Sequence, residues 1–139
     1  GSGPLEAEVR RLSNGKRVVF HGDLDNKTVM TLMSRASGLL FPSICLENSP
    51  LVVAEALGQG LPVIAKSGNV AAKLIKDSGA GCVFENFSEM KSALKLVASK
   101  RAVMAQRARD LYGQDFSEER WLERTESLYR LVIEEAIKC

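Results

Sequence analysis

The stretch Ser49-Pro50-Leu51-Val52-Val53-Ala54-Glu55-Ala56-Leu57-Gly58-Gln59-Gly60-Leu61-Pro62-Val63-Ile64-Ala65 decides how this chain is read. Ser49 is of the residue type that caps a helix N-terminus. Pro50 suits the first helical position, where its missing N–H costs no hydrogen bond, and Gly58 and Gly60 stop the helix before Pro62. Val63-Ile64-Ala65 is a continuous apolar run, as expected of a strand covered on both faces. The spacing therefore predicts a helix over 50–57 that feeds a buried strand.

The same alternation extends outward. Val18-Val19-Phe20, Leu39-Leu40-Phe41 and Cys82-Val83-Phe84 are further apolar runs, and helical periodicity occupies 29–36 and 70–75. Strand, helix, strand repeated in this way implies right-handed crossovers and an α/β fold with a four-stranded, doubly wound parallel sheet. After Cys82 the pattern turns helical. Ser88 starts one helix, 100–111 reads as a second, and Ser117 caps a third that runs through Trp121, Leu128, Val132 and Ile137. The chain is thus expected to form one partial domain over 1–139, parallel α/β to about residue 86 and helical from about residue 87.

The composition fits that reading and narrows the function. Of 139 residues, 45% are apolar and 26% charged, and 19 basic against 17 acidic side chains leave a formal charge of +2. This balance gives no electrostatic case for nucleic acid. The longest apolar runs fall far short of the ~20 residues of a membrane span, and no signal-peptide core opens the chain, so a cytoplasmic location is expected. Cys45, Cys82 and Cys139 are odd in number and widely spaced, which points to reduced thiols, two buried and one terminal, rather than a disulfide framework or a zinc site.

In an open parallel sheet, ligands bind beyond the carboxyl ends of the strands. The densest polar cluster after a strand is Pro42-Ser43-Ile44-Cys45-Leu46-Glu47-Asn48-Ser49. Glu47 precedes the helix and Glu55 lies within it. Between them the free N–H groups of Asn48 to Val52 form a helix N-terminus, where backbone donors and the dipole favour phosphate or sugar hydroxyls. Taken singly, each acid also reads as a solvated surface carboxylate. His21, the sole histidine, reads as a loop residue, and Asp25 as the cap of a helix starting near Lys27. The series Lys91, Lys95, Lys100, Arg101, Arg107 and Arg109 reads as a solvated helical face.

Glu47-Asn48-Ser49-Pro50-Leu51-Val52-Val53-Ala54-Glu55, followed by Gly60-Leu61-Pro62-Val63-Ile64-Ala65, resembles the E-x(7)-E signature and next strand of retaining GT-B glycosyltransferases of family four, the group 1 glycosyl transferases. Gly1-Ser2-Gly3-Pro4-Leu5 is similar to the G-x-G-P-L turn of that family's C-terminal domain. Val19-Phe20-His21-Gly22 is similar to its next strand and turn, Phe41-Pro42-Ser43 to a strand end, and Phe116-Ser117 with Trp121 to the start of its last helix. The resemblance spans nearly the whole chain.

The resemblance implies a Rossmann-like, C-terminal half of a GT-B enzyme that binds a nucleoside diphosphate sugar of UDP or GDP type and passes its sugar to a glycan or lipid-linked acceptor. Glu55 would hold the ribose hydroxyls, and Glu47 would be the catalytic carboxylate beside the anomeric carbon. Asn48, Ser49 and Leu51 would face sugar and phosphate, with His21 and Gly22 near the base. No metal or other cofactor would be needed, because helix N-termini and basic side chains stabilise the leaving diphosphate. The N-terminal acceptor domain and two upstream strands would lie outside this chain, leaving it inactive alone and prone to self-association. The Val18 strand is expected either to join the Leu39 strand or to pair with another chain. A peripheral position at the inner membrane face would suit lipid-linked acceptors.

One loop departs from the pattern. The family's G-G-x-x-E falls on Asn69-Val70-Ala71-Ala72-Lys73, without either glycine or the acid. A non-catalytic, degenerate glycosyltransferase-like subunit is therefore a second reading. A third is a phospho-receiver, imitated by Asp23, Ser43 and Lys66 at successive strand ends.

Overall fold

In a computed structural model describing residues 1–13, 18–45 and 50–138, nine regular elements follow one another. They are α1 (Glu6–Leu12), α2 (Asn26–Arg35), β1 (Leu39–Phe41), α3 (Leu51–Gly58), β2 (Val63–Lys66), α4 (Val70–Ser78), β3 (Gly81–Phe84), α5 (Phe87–Asp115) and α6 (Glu118–Lys138). The described residues form two compact units, 1–32 and 33–139.

The larger unit holds a three-stranded parallel sheet of order β1-β2-β3. Leu39 pairs with Val63, and Val63 in turn with Gly81. β2 is central, and Val63, Ile64 and Ala65 are essentially without solvent contact, which is why its sequence shows no alternation. Right-handed crossovers, the general rule for parallel β-α-β units, would set α3 and α4 on one face of the sheet. On the other face Ile64 and Phe84 meet Ala93, Val97 and Met104 of α5. The sheet is thus covered on both sides, the α/β architecture expected from the sequence.

Gly81 has a steric reason. A Cβ there would overlap the Val63 carbonyl of the neighbouring strand, so only glycine permits this approach of β3 to β2.

α5 contains non-helical torsions at Lys100, with φ −112° and ψ 19°, so it is two helices joined at a kink. The sequence's separate helices from Ser88 and over 100–111 correspond to its two halves. The start is one residue earlier than Ser88, because Asn86 accepts from the Glu89 amide at 3.0 Å while the Glu89 carboxylate accepts from the Glu85 amide at 2.8 Å. These two bonds satisfy two amides at the helix start and make Asn86 the cap. Ser117 does cap α6, accepting from the Arg120 amide at 3.4 Å.

The smaller unit corrects one expectation. Val18-Val19-Phe20 is not a strand, and among the described residues the sheet has three strands rather than four. Val18 and Val19 are exposed, and a strand exists only through a pairing that satisfies its backbone. Phe20 instead receives the Arg10 guanidinium over its ring at 4.5 Å. Asp25 caps α2 as its sequence predicts. Its carboxylate accepts from the Thr28 hydroxyl at 2.7 Å and the Thr28 amide at 2.9 Å, and these bonds lower its pKa from the ordinary value.

The cysteines also differ from expectation. Cys45 is exposed and Cys82 partly buried, because Cys45 sits in the loop after β1 and Cys82 on β3 at the sheet edge. Burial pushes the Cys82 thiol pKa up, against a smaller opposing effect of Lys100. Cys139 lies outside the described residues.

Candidate functional site

β1 and β2 end side by side, and the chain leaves each of them for the N-terminus of a helix. From β1 it runs through Pro42, Ser43, Ile44 and Cys45; from β2 it runs through Ser67, Gly68 and Asn69. Gly68, at φ +89°, makes the turn that brings Asn69 into place, a conformation that side chains other than glycine rarely adopt.

Asn69 is the one buried polar residue among the described residues. Its Oδ1 accepts from the Ala72 amide at 2.8 Å, capping α4, and its Nδ2 donates to the Ser43 carbonyl at 2.8 Å. One side chain therefore closes a helix N-terminus and ties together loops separated by 26 residues. Ser43 in turn accepts at its hydroxyl from the Cys45 amide at 3.3 Å.

α3 begins differently from expectation. Pro50 is its N-cap rather than its first helical residue, with φ −70° and ψ 110°. The extended ψ places Leu51 first in the helix. Val53 donates to the Pro50 carbonyl at 3.0 Å, and the amides of Leu51 and Val52 come before the first bond within the helix, as at any helix N-terminus. The inward side of α3, Val53, Ala56 and Leu57, is buried, and Glu55 lies half-buried on the same helix.

Lys66 closes β2 at this end of the sheet, half-buried, with its ammonium donating to the Ser67 hydroxyl at 3.1 Å. Beside it opens a cleft of about 480 Å³ lined by Ser67, Gly68, Asn69, Lys73 and Lys76 among others. Lys73 is paired with Asp77 at 2.5 Å, and that partner raises its pKa. A second cleft of about 230 Å³ lies between Pro50 and Val53 of α3, Val70 and Leu74 of α4, and Phe116. Two helix N-termini, a cation and polar loops at the carboxyl edge of a parallel sheet suit an anionic, hydroxyl-bearing ligand.

The sequence-predicted site residues fall into three sets. Leu51 and Glu55 lie on α3 in the larger unit, Leu51 being exposed. Glu47, Asn48 and Ser49 lie outside the described residues. His21 and Gly22 belong to the smaller unit, where His21 is exposed and Gly22 turns with φ +66°. Next to them the Ser2 hydroxyl donates to Asp23 at 2.7 Å. Among the described residues no three His, Cys, Asp or Glu side chains converge as metal ligands would, and no helix is long and apolar enough to cross a membrane.

Sequence reasoning overlooked Asn69 as a structural bridge. Its signal was present, since an Asn directly before the helical run Val70-Ala71-Ala72 is an N-cap pattern.

The model of the family described as glycosyl transferases group 1 matches residues 2–110. A protein of Escherichia coli (strain K12) named "Putative colanic acid biosynthesis glycosyl transferase WcaC" is 32% identical over 111 residues, covering 73% of this chain. The chain spans 27% of that relative's length.

Proposed function

The chain belongs to the group 1 glycosyltransferases, and on that premise we propose that it is the part of a retaining transferase that binds the nucleoside diphosphate sugar. The observation that carries this reading is the pairing of the β1 and β2 ends with the N-termini of α3 and α4, next to Lys66. Developing charge on a leaving diphosphate would be met there by oriented amides and one ammonium, without recourse to a metal.

In this reading Glu55 accepts from the ribose hydroxyls, and the amides at Asn48, Ser49 and Leu51 face sugar and phosphate. Glu47 stands beside the anomeric carbon, where positive charge develops as the donor bond breaks, so its contribution falls mainly on turnover. The sugar goes to a glycan or lipid-linked acceptor. That acceptor is held by an N-terminal domain of a longer, cytoplasmic protein working at the inner membrane face. The reading also assigns the exposed Trp121 and Leu128 of α6 to contact with that domain, so the chain by itself would self-associate and would not catalyse. Membership of this family leaves no place for the phospho-receiver reading of Asp23, Ser43 and Lys66.

Thermal unfolding of the chain with UDP or GDP, in the presence of EDTA, tests the proposal. A ligand that binds only the folded state at a hundredfold excess over its Kd adds about 2.7 kcal/mol of stability, enough to raise the midpoint by several degrees. One of the two diphosphates should give that rise. No rise with either, at millimolar ligand, would reject donor binding.

A further inference from the structure

We infer that Asn69 is a positioning residue for the donor site. It sets the course of the loop that leaves β1 through its bond to the Ser43 carbonyl, a role distinct from capping α4. The inference rests on the proposed donor-binding function.

The two bonds of Asn69 do different work. Its Oδ1 serves α4 locally, accepting from Ala72 three residues ahead. Its Nδ2 reaches Ser43, whose own backbone is engaged in β-to-helix passage rather than in any helix. The cap needs only an acceptor, which Ser, Thr or Asp supplies equally well. The bridge needs a donor on the same side chain at the length of an amide, which among the usual cap residues only Asn provides. Asn69 is also buried, so water cannot readily replace the bridge if it is lost.

The placement matters because Ser43 is the last turn of chain before the segment carrying Glu47. The stretch between β1 and α3 runs from residue 42 to residue 50, long for a strand-to-helix connection. Neither glycine of the family's G-G-x-x-E pattern stands at this point of the chain. A side-chain tie occupies it.

Asn69→Ser tests the assignment, with Asn69→Ala alongside. Serine keeps the cap and adds no charge, but is too short to bridge. Asn69→Ser keeps the cap but loses the bridge, so it is expected to melt below the parent but above Asn69→Ala. It should bind the preferred diphosphate, UDP or GDP, about threefold to tenfold more weakly by calorimetry, the range for one lost hydrogen bond. Amide exchange at Cys45 should quicken while that at Ala72 stays slow. Asn69→Ala should lose both stability and affinity. A parent that binds and an Asn69→Ser that binds equally well, with unchanged exchange at Cys45, would overturn the positioning role alone. A parent that binds neither diphosphate would overturn the functional reading and the positioning role with it.

Discussion

Arg124 reaches back from α6 to the end of α5, its Nη2 donating to the Asp115 carboxylate at 2.6 Å and to the Gln114 carbonyl at 3.3 Å. Its Nη1 also donates to the Asp115 carbonyl, at 3.4 Å. A single guanidinium thus meets a carboxylate and two of the carbonyls that a helix C-terminus leaves without partners. It fixes the corner from which α6 departs.

Because Arg124 is exposed and Asp115 partly so, the pair adds little to overall stability, at most about 1 kcal/mol. Arg124→Ala should therefore leave the melting temperature nearly unchanged but loosen the corner. Limited proteolysis should show faster cleavage near Phe116 and Ser117 in the variant. Equal cleavage rates would mean that packing alone holds the corner.

Asp25 gives a pH-dependent prediction. Its carboxyl pKa is lowered from 3.8 by the Thr28 hydroxyl and then the Thr28 amide. A depressed acid contributes stability above its unfolded value and loses that contribution as pH falls through the folded value. Asp25→Ala should melt below the parent at pH 7, and the two should converge once the pH drops well past 3.8. A gap that persisted undiminished at low pH would show that the cap's charge is not what stabilises α2.

Gly81 gives a prediction about the sheet. Since a Cβ at Gly81 would overlap the Val63 carbonyl, Gly81→Ala must push β3 away from the central strand. Overpacking in a tight interior costs about 1 to 3 kcal/mol, occasionally more. Chemical denaturation should show a loss in at least that range, and a variant as stable as the parent would mean that β3 shifts freely.

The sequence showed what periodicity and capping chemistry encode. Ile64 and its neighbours announce a central strand by being apolar without alternation, and the Asp25 and Ser117 caps are visible as residue types in the right places. The Val18 run was misleading because pairing is a long-range property: three apolar residues cannot show whether an edge is available to them. Pro50 misled by one position, since its fixed φ suits both an N-cap and a first helical residue and only ψ separates the two. The sequence places Glu55 within a helix, and it does lie on α3, while its role is an implication of the family resemblance. The Asn69 bridge to Ser43 was not legible, because its cap pattern is local but its second bond joins loops far apart in the chain.

In the proposed donor site, α3 presents Glu55 to the ribose of a nucleoside diphosphate. Calorimetric titration of the parent chain and of Glu55→Ala, with whichever of UDP and GDP the parent prefers, tests it most directly. Loss of a charged acceptor to the ribose should weaken binding by about 1 to 3 kcal/mol, and thermal melting should stay close to the parent because Glu55 is only half-buried. Equal affinity in the two proteins would contradict the claim.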